Sequence, residues 1–296
     1  MNSKIRLFGM MLLIGSSIGT LRAQSDSVKH WTIKGENTLL LNQTAFSSWA
    51  AGGINSFGGT LGLNYDFNYK KDTWNWDNKF IIGYGLTKQS DVGWRKSDDR
   101  LILNSLLGKE YSKKWMYTFF LNFQTQFSNG YDYTLPGEPL ISGFFAPAYL
   151  GFGPGIAYKE SDNFKMNLSP LASRMTFVSN DTLSQQGAFG VDPGSKFKYE
   201  LGAYFELYYK KEIWKNISAE NSLKLFSNYL DKPKNVDIDY TLNILMKVND
   251  YISANLGLQM VYDDDTKLPY DDNGEIRYRS RLQVKQLFGV GITYKF

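Results

Sequence analysis

One histidine and no cysteine leave this 296-residue chain few routes to covalent catalysis. Serine–histidine lipolysis and aspartate–histidine proteolysis both need a histidine base beside the reacting group, and His30 is the one histidine in the sequence. It precedes the first strand-like segment, where a solvated chain end is the simpler reading. No catalytic residue is therefore assigned. Carboxylates crowd one stretch, at Asp263, Asp264, Asp265, Asp271, Asp272 and Glu275, with Asn273-Gly274 as a turn. A glycosidase would need two of them facing each other across a substrate cleft, which a single loop does not supply. Their spacing departs from the alternate oxygen donors that precede the glycine of an EF-hand loop. The reading is no metal, with a calcium site at Asp263, Asp265 and Asp271 as the alternative and a solvated acidic loop as the plain account. No cofactor is implied. Lack of cysteine also removes thiolate metal sites, disulfides and a lipid-modified cysteine anchor.

The remaining polar chemistry is periodic, and the period shows what must position it. Leu287 to Phe296 places Phe288, Val290, Ile292, Tyr294 and Phe296 on one face, with Gly289, Gly291, Thr293 and Lys295 between them. This is how the closing strand of an outer-membrane β-barrel reads, with one face to lipid and the other to the lumen. From Trp31 onward twelve such segments follow, near 31–46, 55–70, 74–88, 98–111, 115–128, 145–158, 163–177, 196–210, 214–229, 235–248, 251–263 and 281–296. Short polar turns are expected at 71–73, 112–114, 160–162, 211–213 and 249–250. Longer connections are expected at 47–54, 89–97, 129–144, 178–195 and 264–280, with a brief one at 230–234. That asymmetry is expected of short periplasmic turns and long extracellular loops. No helical periodicity is evident after the N-terminus.

Composition agrees. Aromatic residues make up 16% of the chain, and a mean hydropathy of −0.35 excludes a polytopic helical membrane protein. A barrel needs no long apolar run, because only every second residue meets lipid. Residues 1–23 have the form of a cleaved secretory signal, with Lys4 and Arg6 before the apolar stretch 7–18, leaving 24–296 as one barrel domain. Removing Lys4, Arg6 and Arg22 takes the formal net charge from +4 to +1, which is no nucleic-acid footprint. Trp74, Trp76, Trp115, Trp214 and Tyr251 just after short turns, and Tyr111, Tyr158 and Tyr209 just before them, form a periplasmic aromatic girdle.

The parity of the segments selects lumen-facing residues: Asp66, Asp77, Lys79, Arg100, Gln124, Arg174, Glu200, Glu206, Glu220, Lys224, Asp237, Asp239 and Lys285, together with Asn64, Asn122 and Gln126. Charges of both signs can bridge a barrel of this size or ring an aqueous path. Cross-lumen salt bridges are favoured, with Arg174 and Glu200 or Glu206 as the leading pair. Pro154 and Pro170 fall at similar depth on neighbouring segments. Proline cannot donate to the ladder, so a paired bulge is expected there, as a curvature device or as a functional opening in the wall.

Four stretches, Phe46–Ser56, Arg95–Leu101, Gly143–Tyr149 and Leu168–Val178, resemble a family of Bacteroidetes outer-membrane β-barrel proteins known only as a domain of unknown function, number 3078. Its most specific piece is Trp49-Ala-Ala-Gly52-Gly53-Ile-Asn55-Ser56, and Pro170 lies in the last stretch. The resemblance implies a barrel in the outer membrane of a Gram-negative bacterium and assigns no catalytic residues. The Gly52-Gly53 pair suits either a long turn or a segment folded into the lumen.

The expected function is a non-enzymatic, narrow pore or channel for small solutes. Two alternatives are a non-conducting structural or accessory component of an outer-membrane secretion or uptake complex, and a histidine-independent lipid-directed enzyme. The expected partners are outer-membrane lipids and lipopolysaccharide, the barrel-assembly machinery through the C-terminal Phe296, and other envelope proteins.

Overall fold

Alternation with a period of two hides an apolar row only by turning it to one side of a sheet. In hydrocarbon the sheet must also close, because an open edge leaves backbone N–H and C=O groups unpaired. The computed structural model describes residues 30–45, 55–90, 92–133, 135, 137–272 and 275–296. In it, Trp31–Phe296 form a closed antiparallel barrel of twelve strands. These are β1 (Trp31–Thr44), β2 (Ser56–Lys71), β3 (Trp74–Gln89), β4 (Gly93–Glu110), β5 (Trp115–Thr125), β8 (Ala148–Ser161), β9 (Phe164–Phe177), β10 (Phe197–Trp214), β11 (Ile217–Asn228), β12 (Asp237–Lys247), β13 (Ile252–Tyr262) and β16 (Gln283–Lys295). Two hairpins stand outside the ring, β6 (Gly130–Tyr131) with β7 (Leu140–Ser142) and β14 (Lys267–Asp272) with β15 (Glu275–Ser280). Each ring strand corresponds to one expected segment.

The outer wall is apolar along its length, with Leu39, Leu41, Phe119, Ile156, Leu168, Phe288, Val290 and Ile292 exposed. At the end of the short turns it carries aromatic side chains, among them Trp31, Trp74, Trp76, Trp115, Tyr111 and Tyr251. Trp31 packs against Tyr69 and Trp76 at ring-centre distances of 5.1 and 5.8 Å, and Tyr111 against Tyr117 at 4.6 Å. An apolar band with an aromatic rim, on a sheet that has no edge, is the architecture of an outer-membrane barrel.

The connections depart from expectation in five places. The 89–97 connection is a tight turn, since β3 runs to Gln89 and β4 starts at Gly93, whose φ of +80° suits glycine. Its charges Arg95 and Lys96 belong to β4 and pair with Glu138 and Asp99. The expected turn at 211–213 is strand: β10 continues through a bulge to Trp214, and the chain reverses at Lys215-Asn216, where Asn216 holds a φ of +65°. Trp214 therefore precedes its turn rather than following it. The stretches 129–144 and 264–280 contain the two hairpins. The 178–195 loop holds a short helix, α1 (Asp181–Gln185), which no helical period in so few residues could announce. The Asn180 side chain caps it by accepting from the Leu183 N–H at 3.1 Å. The expected leader, and Trp49, Gly52 and Gly53, lie outside the described residues.

The paired irregularity at the prolines is present. Register shifts between Phe152 and Ile156 on the β8–β9 ladder, and between Gly202 and Tyr204 on the β9–β10 ladder. The carbonyls freed there find side-chain donors: Ser169 Oγ donates to Pro154 O at 2.6 Å, and Tyr229 Oη donates to Pro170 O at 2.9 Å. Ser169 is fully buried. Ser169→Ala strands the Pro154 carbonyl and is expected to cost about 1–3 kcal/mol. Urea unfolding in detergent measures it, and an unchanged midpoint would remove this role from Ser169.

Candidate functional site: the barrel lumen

Residues that share a strand face share a fate, so the inward row of each strand builds the lumen side by side with its neighbours. A cavity of about 360 Å³ runs through it, reaching Asp162 and Asn163 at a short turn and Asp98, Arg100 and Gln124 toward the long-loop end. Ten of the thirteen residues expected to line the lumen do so: Asp66, Asp77, Lys79, Arg100, Gln124, Glu206, Glu220, Lys224, Asp239 and Lys285. Asn64 and Asn122 join them. Arg174, Glu200 and Asp237 face inward but form a separate salt-bridged cluster off the cavity.

Charge in the lumen is balanced and largely paired. Seven basic side chains (Lys34, Lys79, Arg100, Lys165, Lys210, Lys224, Lys285) meet eight acidic ones (Glu36, Asp66, Asp77, Asp98, Asp162, Glu206, Glu220, Asp239) in the cavity wall. Lys79 on β3 and Glu220 on β11 meet at 2.6 Å, although six positions of the twelve-strand ring separate their strands. This ion pair therefore spans the full width of the lumen. Lys210 supports Glu220 from the side at 3.4 Å. Asp77 is held by Lys159 at 2.8 Å and Lys165 at 3.7 Å, while Lys285 bridges to Asp98. At the turn, burial pushes the Asp162 carboxyl up, but Lys159, 3.2 Å away, outweighs it and keeps the group below the usual aspartate range.

Between the charges the inward lining is carboxamide: Asn64, Asn68, Asn104, Asn122, Asn167, Asn243 and Asn255, with Gln124 and Gln259. Lys224 donates to Asn104 Oδ1 at 3.1 Å, and Asn122 donates to the Tyr204 hydroxyl at 2.8 Å. Parity also places residues in the interior that a search for charge passes over. Phe120, Tyr204 and Phe226 share faces with Asn122, Glu206 and Lys224. With Ala172 they form a buried cluster in which Phe120 and Tyr204 stack at 4.4 Å. This cluster fills part of the interior behind the proline seam and lies off the cavity.

Toward the long loops, Arg174 makes a two-pronged bridge to Glu200 at 2.6 and 2.7 Å and reaches Asp237 at 2.6 Å. Its guanidinium also lies 4.2 Å from the centre of the Phe226 ring. The pairing expected for Arg174 is present with Glu200; Glu206 instead accepts from Tyr204 at 3.1 Å. Lys198 joins Glu200 to Asp265 at 3.2 and 2.5 Å, tying the base of the β14–β15 hairpin to β10. The acidic stretch is thereby engaged. Asp263 accepts from the Asp265 and Thr266 N–H groups, and Asp264 accepts from Lys232 and Asn235. Among the described residues no three His, Cys, Asp or Glu side chains converge on a metal position. The side chain of Asp271 lies outside the described residues.

The stretches used for the resemblance have structural work. Asp99, within Arg95–Leu101, accepts from the Phe127 N–H at 2.8 Å, from the Ser128 N–H and hydroxyl at 2.9 Å, and from Lys96 at 2.9 Å. It fixes the start of the β5–β8 loop. Within Gly143–Tyr149, Gln126 donates to Gly143 O and Ala146 O, and Ala146 packs with Val178, Leu183 and Val191 under α1. Asp99→Ala releases two backbone N–H groups and a lysine at one stroke. Faster proteolytic cutting in the 127–147 loop of the folded variant is the expected result, and cutting at the parental rate would count against it.

Residues 41–131 match the family described as Protein of unknown function (DUF3078). The match takes in the first two stretches of the resemblance, while Gly143–Tyr149 and Leu168–Val178 lie beyond it. A search of curated proteins returned no match. Among solved structures, the chain is similar to a NanC porin (9% identity, covering 90% of this chain and 100% of that one, TM-score 0.38). It is also similar to an outer membrane channel from Pseudomonas putida F1 (10% identity, 92% and 99% covered, TM-score 0.38). A third is the Pseudomonas putida toluene transporter TodX (9% identity, 90% and 87% covered, TM-score 0.30). Overlaps this low carry no argument about function.

Proposed function

We propose that this protein is a narrow outer-membrane channel for small polar solutes. The supporting observation is the polar lumen itself: a cavity of about 360 Å³, lined by charged and carboxamide side chains on the inner face of a lipid-facing wall. A barrel that served only as a scaffold could fill its centre with apolar side chains; this one keeps fifteen charged side chains, seven basic and eight acidic, in its cavity wall. The Lys79–Glu220 bridge sets the constriction. Single-channel recording of the refolded full chain in planar bilayers tests the reading. Discrete current steps are expected. Their absence from both the parent and a variant lacking the Lys79–Glu220 bridge would overturn it in favour of a non-conducting accessory protein.

A further inference from the structure

The hydrogen-bonding groups left over inside the lumen indicate which solutes it takes, given the channel reading above. Many of the charges are spent on one another, Lys79 on Glu220 at 2.6 Å, Lys159 on Asp77 at 2.8 Å, and Lys285 on Asp98, while Lys224, Glu206 and Asp239 hydrogen-bond to the neutral Asn104, Tyr204 and Gln259. Arg100 Nε and Asp98 Oδ2 have no hydrogen bond, but they face each other at 3.6 Å. Two buried polar atoms in the cavity wall remain without a partner, and both are carboxamide: the acceptor Asn64 Oδ1 and the donor Asn167 Nδ2. Asn167 is only 3% exposed, and its Oδ1 is already taken by the Thr118 hydroxyl at 2.7 Å. Asn64 stands on β2 and Asn167 on β9, five ring positions apart, so an unpartnered acceptor and an unpartnered donor are set in opposite walls.

We infer that the lumen recognises a neutral polyhydroxylated solute, of the size of a small saccharide. Each hydroxyl donates and accepts at once, so the hydroxyls of such a solute suit the acceptor Asn64 Oδ1 and the donor Asn167 Nδ2 alike. The remaining carboxamides continue the same two-way pattern along the wall. Seven basic against eight acidic side chains in the cavity wall leave little net charge to draw an ion of either sign. An apolar solute would strip water from the polar wall and return no hydrogen bonds.

The test is swelling of proteoliposomes containing the refolded full chain, in isotonic glucose and in isotonic sodium gluconate, beside single-channel recording of the same preparation. Glucose is expected to enter several-fold faster than gluconate, with Asn64→Leu and Asn167→Leu each slowing glucose severalfold. Heat-dependent gel migration verifies folding of both variants. Should Asn167→Leu not fold, Asn167→Asp retains the acceptor for Thr118, removes the open donor, and is expected to slow glucose as well. Gluconate entry as fast as glucose, or glucose rates unmoved in the folded variants, overturns the saccharide assignment while current steps keep the channel reading intact. Neither swelling nor current overturns both.

Discussion

Replacing Lys79 and Glu220 together with alanine is expected to widen the constriction and raise single-channel conductance several-fold. The pair closes the full width of the ring at 2.6 Å, and both side chains are about four-fifths shielded from solvent. Single changes behave differently, because each leaves one charge behind. Glu220→Ala leaves Lys79 with only the weaker pull of Asp66 and Glu36 and is expected to bias the current toward anions. Lys79→Ala leaves Glu220 to Lys210 alone, at 3.4 Å, and is expected to bias it toward cations. Removing one member of a buried pair costs about 3–5 kcal/mol, an upper figure here because lumen water screens the survivor. The double variant is therefore expected to unfold later than either single one. Reversal potentials in a salt gradient measure the selectivity, and equal selectivity in the two single variants would sink this account of the constriction.

Arg174→Met is expected to be the most destabilising single change in the inward face. Glu200 is only 1% exposed, and Arg174 supplies two hydrogen bonds to it and a third to Asp237. Without the guanidinium, two carboxylates face each other with Lys198 and Asn228 as the remaining donors to Glu200. A loss of about 3–5 kcal/mol follows from stranding buried charge. The variant Arg174→Met/Glu200→Gln/Asp237→Asn removes the charges along with their partner and is expected to recover much of it. Denaturant midpoints of the parent and the two variants decide the matter. No recovery in the triple variant would mean that the packing of Arg174 on Phe226, rather than charge, holds this end together.

How much of this was legible beforehand follows from what period two can report. It names the face of a residue, so the twelve ring strands and ten of the thirteen expected lining residues could be read directly. It gives no depth or distance, so nothing in the sequence joined Lys79 to Glu220, which lie 141 residues apart. Nor could it separate Arg174, Glu200 and Asp237 from the cavity, because all inward residues look alike along one strand. Phe120, Tyr204 and Phe226 were passed over for a different reason. Aromatic side chains in a barrel sequence suggest lipid, and only strict adherence to parity turns these three inward. The loops were the least legible part. Charged residues carried into a strand break the alternation that marks it, as at Arg95 and Lys96 in β4.

The ring is joined where β1 meets β16, through six residue pairs from Glu36–Lys295 to Leu41–Val290 and two hydrogen bonds of 3.0 Å between Gly35 and Phe296. Thr38 and Thr293, neighbours at this junction, are 255 positions apart in the chain. Such a join gains nothing until almost the whole polypeptide has been made, while the entropy lost in bringing the two ends together must be met in full. Adjacent hairpins can zip early and locally. The stitch that finishes the molecule comes last and is the slow one, so the unfinished sheet has two bare margins that need shelter until its first and last strands meet.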